Sequence, residues 1–182
     1  MNRETLRDLA VFCLLLAIGV VGRWAQPTWN FTPLAAVTAL GGYCFFRQPI
    51  AAVLLPMSVL AVSDLALPAH DSWPVLASVH VMMLVPLLLG RRARSHAGWQ
   101  RGASWALCGF VPATTFFLVT NFAVWAFQST YDKTLEGLAL CYTAGLPFYR
   151  SMLAGDLFYL AVLLGCLAIA GAFAPRSALQ QG

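Results

Sequence analysis

Long apolar runs separated by short polar breaks dominate the chain, and they predict helices crossing a bilayer. About 20 mostly apolar residues at 1.5 Å rise per residue cover a hydrocarbon core of roughly 30 Å. On that criterion the runs fall at about 6–22, 31–46, 49–67, 72–90, 103–127 and 151–174. The first follows Arg3 and Arg7, the second is closed by Arg47, and the fourth runs directly into RRARS, residues 91–95. The opening MNRETLRD and its apolar run have the outline of a signal peptide. No small-residue cleavage site follows, so the run is expected to persist as a first span. The one long break, Gln128–Arg150, holds Leu135, Leu138, Ala139 and Tyr142 at i, i+3, i+4, i+7 spacing. That spacing predicts a short interfacial helix over Thr134–Tyr142.

Composition agrees with the pattern. The 182 residues are 60% hydrophobic and only 10% charged, against about 25% charged in soluble domains, and mean hydropathy is +0.74. The expected fold is therefore one all-α membrane domain of six transmembrane helices. Charge orients it. Arg3, Arg7, Arg47, Arg91, Arg92, Arg94, Arg101 and Arg176 fall in one set of connections, and Arg23, Lys133 and Arg150 in the other. Eight against three predicts that both termini are cytoplasmic, because short loops rich in Lys and Arg stay inside. Topology also accounts for the net charge of +4, so no nucleic-acid partner is called for; the expected surroundings are the lipid bilayer. The five cysteines form no CxxC pair and read as small buried hydrophobes rather than a disulfide framework.

Polar residues inside the spans then stand out, because each costs free energy in lipid and should face a shared interior. Nearly all lie in the outer halves: Asn30 and Thr32, Ser63 and Asp64, Ser78 and His80, Thr120 and Asn121, Asp156 and Tyr159. His80 lies seven residues past Trp73, roughly 10 Å down its helix. It is the only histidine inside an apolar run, and such a residue is a candidate functional group. Together these predict a pocket open to the outer side, lidded by aromatics that include Trp29, Trp125, Tyr131, Tyr142 and Phe148. Plainer readings exist for each. The aromatics form an interfacial belt, Asn121 and Ser63 bond neighbouring helices, Asp64 and Asp156 snorkel or pair with Arg150, and His80 packs. No HExxH, GxSxG, P-loop or GxGxxG motif is present. A second intramembrane histidine for a bis-His haem is also lacking.

FFLVTNFAVW (116–125), TLEGLALCYTAGLPF (134–148), Gly155-Asp156, NFTPLAAVTALGG (30–42) and SDL (63–65) resemble a family of small bacterial inner-membrane proteins. These are the substrate-binding S components of energy-coupling-factor vitamin transporters, and among them the BtuM-like solitary cobalamin transporters. The resemblance implies six helices and an outward site capped by the loops at 23–30, 68–72 and 128–150. It also implies uptake of cobalamin, a corrinoid, across the inner membrane, with its cobalt ligated from the fourth span. BtuM-like proteins offer a cysteine there. This chain has His80, a good ligand for late first-row metals but a poor support for thiolate-dependent decyanation. On this reading His80 is the metal ligand, with Met83 on its helix face. Asn30, Thr32, Asp64, Asn121, Trp125, Tyr131, Tyr142, Phe148 and Asp156 hold the corrin periphery. Span 1 departs from the AxxxA spacing of group-type S components, since Ala10 is followed by Leu14 and Ala17 by Val21. That suits a solitary transporter, and an energising ATPase would in any case have to be a separate module. The rival expectations are a transporter of another vitamin or a metal ion, a haem-bearing or other membrane enzyme subunit, and an assembly protein without a small ligand.

Overall fold

A computed structural model describes residues 2–67 and 72–169. Its centre is a short helix, α2 (Leu34–Cys44), in which every residue from Leu34 to Tyr43 is buried. LAAVTALGGY has no charged face to present, so the segment is stable only with protein on all sides. Around it stand α1 (Arg3–Trp24), α3 (Pro49–Ser63), α4 (Trp73–Met82), α5 (Leu84–Ser95), α6 (Gly98–Phe127) and α7 (Leu135–Ile169). The described residues contain no strand. Four helical segments are long and apolar enough to cross a membrane: Arg3–Trp24, Trp73–Ser95, Gly98–Phe127 and Leu135–Ile169. Their large apolar side chains, Leu14, Leu88, Phe110 and Phe158 among them, point outward, as lipid-facing residues do. The protein is an all-α membrane protein.

α2 is held against α5 by close backbone approach. A Cβ added at Gly90 would lie 1.8 Å from the Ala39 carbonyl oxygen, and one at Gly42 would lie 2.2 Å from that of Leu87. Only glycine allows this, which is how small residues serve membrane-helix packing. α4 and α5 are one rod interrupted at Met83, three residues before Pro86. The proline supplies no N–H to the Met82 carbonyl and its ring crowds that carbonyl, so the chain turns there, with Met83 N–H donating to His80 O at 3.2 Å.

The largest departure from the expected elements lies after α6. The predicted long loop at 128–150 is mostly helix: only 128–134 connects α6 to α7, and α7 then continues for 35 residues through Pro147. The short interfacial helix expected at 134–142 is the first part of this rod, and the span expected to begin at Ser151 begins inside it. Polar residues in TLEGLALCYT suggested water, yet Cys141 and Tyr142 are satisfied on α6. Tyr142 Oη donates to Leu118 O at 2.8 Å, Cys141 Sγ donates to Asn121 O at 3.3 Å, and the hydroxyls of Thr114 and Tyr149 lie 3.1 Å apart. The other boundaries shift less. α1 reaches Trp24 and so includes Arg23, while α2 and α3 are shorter than the predicted spans. The expected span end at 170–174, Arg176, and residues 68–71 of the second outer loop lie outside the described residues.

Candidate functional site

The shortness of α2 and α3 creates the site. At about 1.5 Å per residue, α2 covers only about 16 Å and α3 about 22 Å, whereas α6 (30 residues) and α7 (35 residues) are about two to three times as long. Both short helices stop below the end of the bundle that carries the α1–α2, α3–α4 and α6–α7 connections. A cavity of about 260 Å³ fills the space above them. Its floor is Leu34, Ala35 and Leu60, and its sides are Val79 and Met83, Pro112 and Phe116, and Met152 and Asp156. Arg23, Gln26, Trp29, Asn30, Thr32, Asp64 and Leu67 complete the lining. Non-helical backbone at membrane depth is tolerated where it lines a cavity, and residues 29–32 do so here.

Local chemistry sets that loop. Asn30 adopts φ +66°, a left-handed conformation that Asn visits more readily than other side-chain-bearing residues. Its N–H donates to Gln26 Oε1 at 2.9 Å. Gly155 lets the loop lie on α7, since a Cβ there would stand 3.0 Å from Thr32 N. Asn30→Ala is therefore expected to cost about 1 kcal/mol and Asn30→Gly much less, read as a difference in thermal unfolding between the two variants.

Charge at the mouth is paired. Arg23 Nη1 donates to Asp64 Oδ1 at 2.8 Å and also to Ser63 Oγ, while Trp24 Nε1 donates to Ser63 O at 3.0 Å. Asp156 is different. It is 4% exposed. The Ala113 backbone reaches its carboxyl, but Oδ2 has no hydrogen-bond partner among the described residues.

A second chamber of about 160 Å³ adjoins the first, sharing Asn30, Phe116 and Met152 with it. It lies between the α1–α2 loop and the α6–α7 hairpin and is lined also by Thr120, Asn121 and Phe148. Asn121 Nδ2 is engaged with Phe117 O at 2.8 Å.

Of the residues expected from sequence, Asn30, Thr32, Asp64, Met83 and Asp156 converge on the first chamber, and Asn30, Asn121 and Phe148 on the second. His80 does not line either. Its Nδ1 lies 2.9 Å from Leu76 O, and it is Val79 and Met83 that turn inward. Ala77, three residues before His80 on α4, is exposed. Trp125, Tyr131 and Tyr142 also lie off both chambers. Trp125 Nε1 donates to Asp132 O at 2.9 Å, and Lys133 Nζ caps α6 by donating to the carbonyls of Trp125 and Gln128. Arg150 is exposed and pairs with neither aspartate among the described residues.

Sequence reasoning missed Arg23, which it left in a loop, and Met152 and Phe116. The signal for Arg23 was available, as a basic residue on the side of the chain that otherwise holds few, level with Asp64. For Met152 there was none, because a methionine in an apolar span carries no polar mark.

Among known proteins, the sequence model of a family of unknown function (DUF6580) matches residues 3–178. The chain belongs to the DUF6580 family. The matched region takes in all seven helices of the described residues and the residues that line the two chambers above. No curated protein and no solved structure matches the chain.

Proposed function

We propose that this DUF6580 protein captures a small solute from the outer side of the bacterial inner membrane and releases it inward, as an S-component-like transporter. In this reading the chain passes the membrane six times, counting α4 with α5 as one pass. Both termini are cytoplasmic, and the arginine-rich end of α5 lies inside. One observation carries the reading: a cavity at the end away from those arginines, walled by apolar and sulfur side chains with a few convergent polar groups. Small-molecule sites have that character. Parts of the motifs that resemble S components, among them Asn30, Thr32, Asp64, Phe116, Asn121 and Asp156, line the two chambers.

Substrate size follows from the volume. About 260 Å³ lies at the lower edge of the ~300–1,000 Å³ common for drug-sized ligands, which suits a solute of vitamin-fragment size. Cobalamin is the second reading, favoured by the same motif residues. It would require the two chambers to merge and the imidazole of His80 to leave Leu76 for cobalt. Energisation by a separate ATPase module fits either reading.

Native mass spectrometry of protein purified in mild detergent is the test. A bound small molecule is expected in the wild type and lost in Ala35→Phe, which fills the cavity floor, while His80→Ala retains it. Corrin absorption bands that co-purify and disappear in His80→Ala would reverse the choice in favour of cobalamin. No solute in any preparation, with wild-type and Ala35→Phe protein indistinguishable across a vitamin panel, would sink both.

A further inference from the structure

The chamber above α2 is lined, among the described residues, by one guanidinium (Arg23) and two carboxylates (Asp64 and Asp156). Arg23 and Asp64 neutralise each other at 2.8 Å. Asp156 is left over. No cation of the described chain reaches it: Arg150 is exposed, and Lys133 is held at the carbonyl end of α6. A buried carboxyl with an unsatisfied oxygen is costly unless it gains a partner, and Asp156 is among the residues that line the space a solute would fill. Resting on the reading as a solute-capturing protein, we infer that this chamber selects small organic cations, holding a positively charged N–H against Asp156.

The rest of the wall fits that class. Phe116 and Trp29 offer aromatic faces, which attract cations, and Met83 and Met152 offer polarizable thioethers that adapt to irregular organic shapes. A bare metal ion fits poorly, because no group of three or more His, Cys, Asp or Glu that could hold one occurs among the described residues. An anionic solute would meet Asp156 with its charge uncompensated. With Arg23 and Asp64 paired at the mouth, Asp156 is the one carboxyl of the described lining left for a monocation to engage.

The first measurement uses the wild-type protein in lipid nanodiscs, so it does not depend on a folded variant. A hydrophobic carbodiimide, which reacts with carboxyl groups in water-poor surroundings, is applied with rising benzylammonium or its uncharged counterpart benzyl alcohol. Modification is read site by site by mass spectrometry. Asp156 is expected to be labelled, with benzylammonium protecting at concentrations at least about tenfold lower than benzyl alcohol, as one close charge pair provides. In a second measurement benzylammonium should raise the melting temperature of the wild type and not that of Asp156→Asn. Equal protection by the two probes would overturn the cation preference while leaving solute capture standing. Labelling that neither probe reduces, or an Asp156 that is never labelled, would overturn both.

Discussion

Gly90→Ala is expected to lower the apparent melting temperature of the detergent-solubilised protein by more than about 10 °C, or to prevent recovery of a monodisperse peak. The added methyl carbon would stand 1.8 Å from the Ala39 carbonyl oxygen and 3.0 Å from Ala39 Cα. These are backbone atoms, so no side-chain rotation relieves the contact; α5 must move off α2. That separation opens the packing of Val37, Leu40 and Leu87, which are nearly inaccessible in the intact bundle. Overpacking a core costs about 1–3 kcal/mol where side chains can shift, and a backbone collision belongs at or above the top of that range. Gly42→Ala should behave alike, because its Cβ meets Leu87 O at 2.2 Å. Gly102→Ala and Gly165→Ala are the controls. Nothing lies within 4 Å of a Cβ at either position, and alanine is favoured over glycine in a helix by about 1 kcal/mol. Thermal unfolding followed by circular dichroism on the four variants decides it. Equal melting in all four would refute the close α2–α5 packing.

The Arg23–Asp64 pair yields the second large effect. The two side chains are 14% and 26% exposed, enough shielding that removing one leaves the other's charge poorly solvated. Breaking a fully buried pair costs about 3–5 kcal/mol; at the mouth of a cavity the figure should fall to about 2 kcal/mol. Arg23→Leu should cost more than Asp64→Leu, because Arg23 also donates to Ser63 Oγ on α3 and joins the outer ends of α1 and α3. The double variant should recover part of the loss, since no charge is then stranded. A double-mutant cycle measured by denaturant or thermal unfolding reads the coupling directly. Additive single effects would mean that the pair is merely adjacent.

Much of the fold was legible because apolar run length follows so directly from bilayer thickness. Three of the four long segments stand close to where hydropathy puts them, and the clustering of polar residues at one end anticipated Asn30, Thr32, Asp64 and Asp156 around one chamber. Reasoning failed where a side chain's direction, rather than its depth, mattered. His80 and Met83 are three residues apart in one predicted span, and depth alone could not say that the methionine lines the cavity while the imidazole turns to Leu76. The α6–α7 hairpin was misread for a related reason. Tyr142, Cys141 and Thr143 resemble loop residues in sequence, but each finds a hydrogen-bond acceptor, on α6 for the first two and one turn back along α7 for the third.

By itself the chain's composition and spacing determined a helical membrane protein with polar groups gathered at one end, since lipid tolerates little else. Only the tertiary structure decided that α2 and α3 stop short and leave a hollow, and which aspartate keeps a partner. Those outcomes depend on how six rods of unequal length are docked. Docking is set by contacts such as Gly90 on Ala39 and Gly155 on Thr32, between residues far apart in sequence.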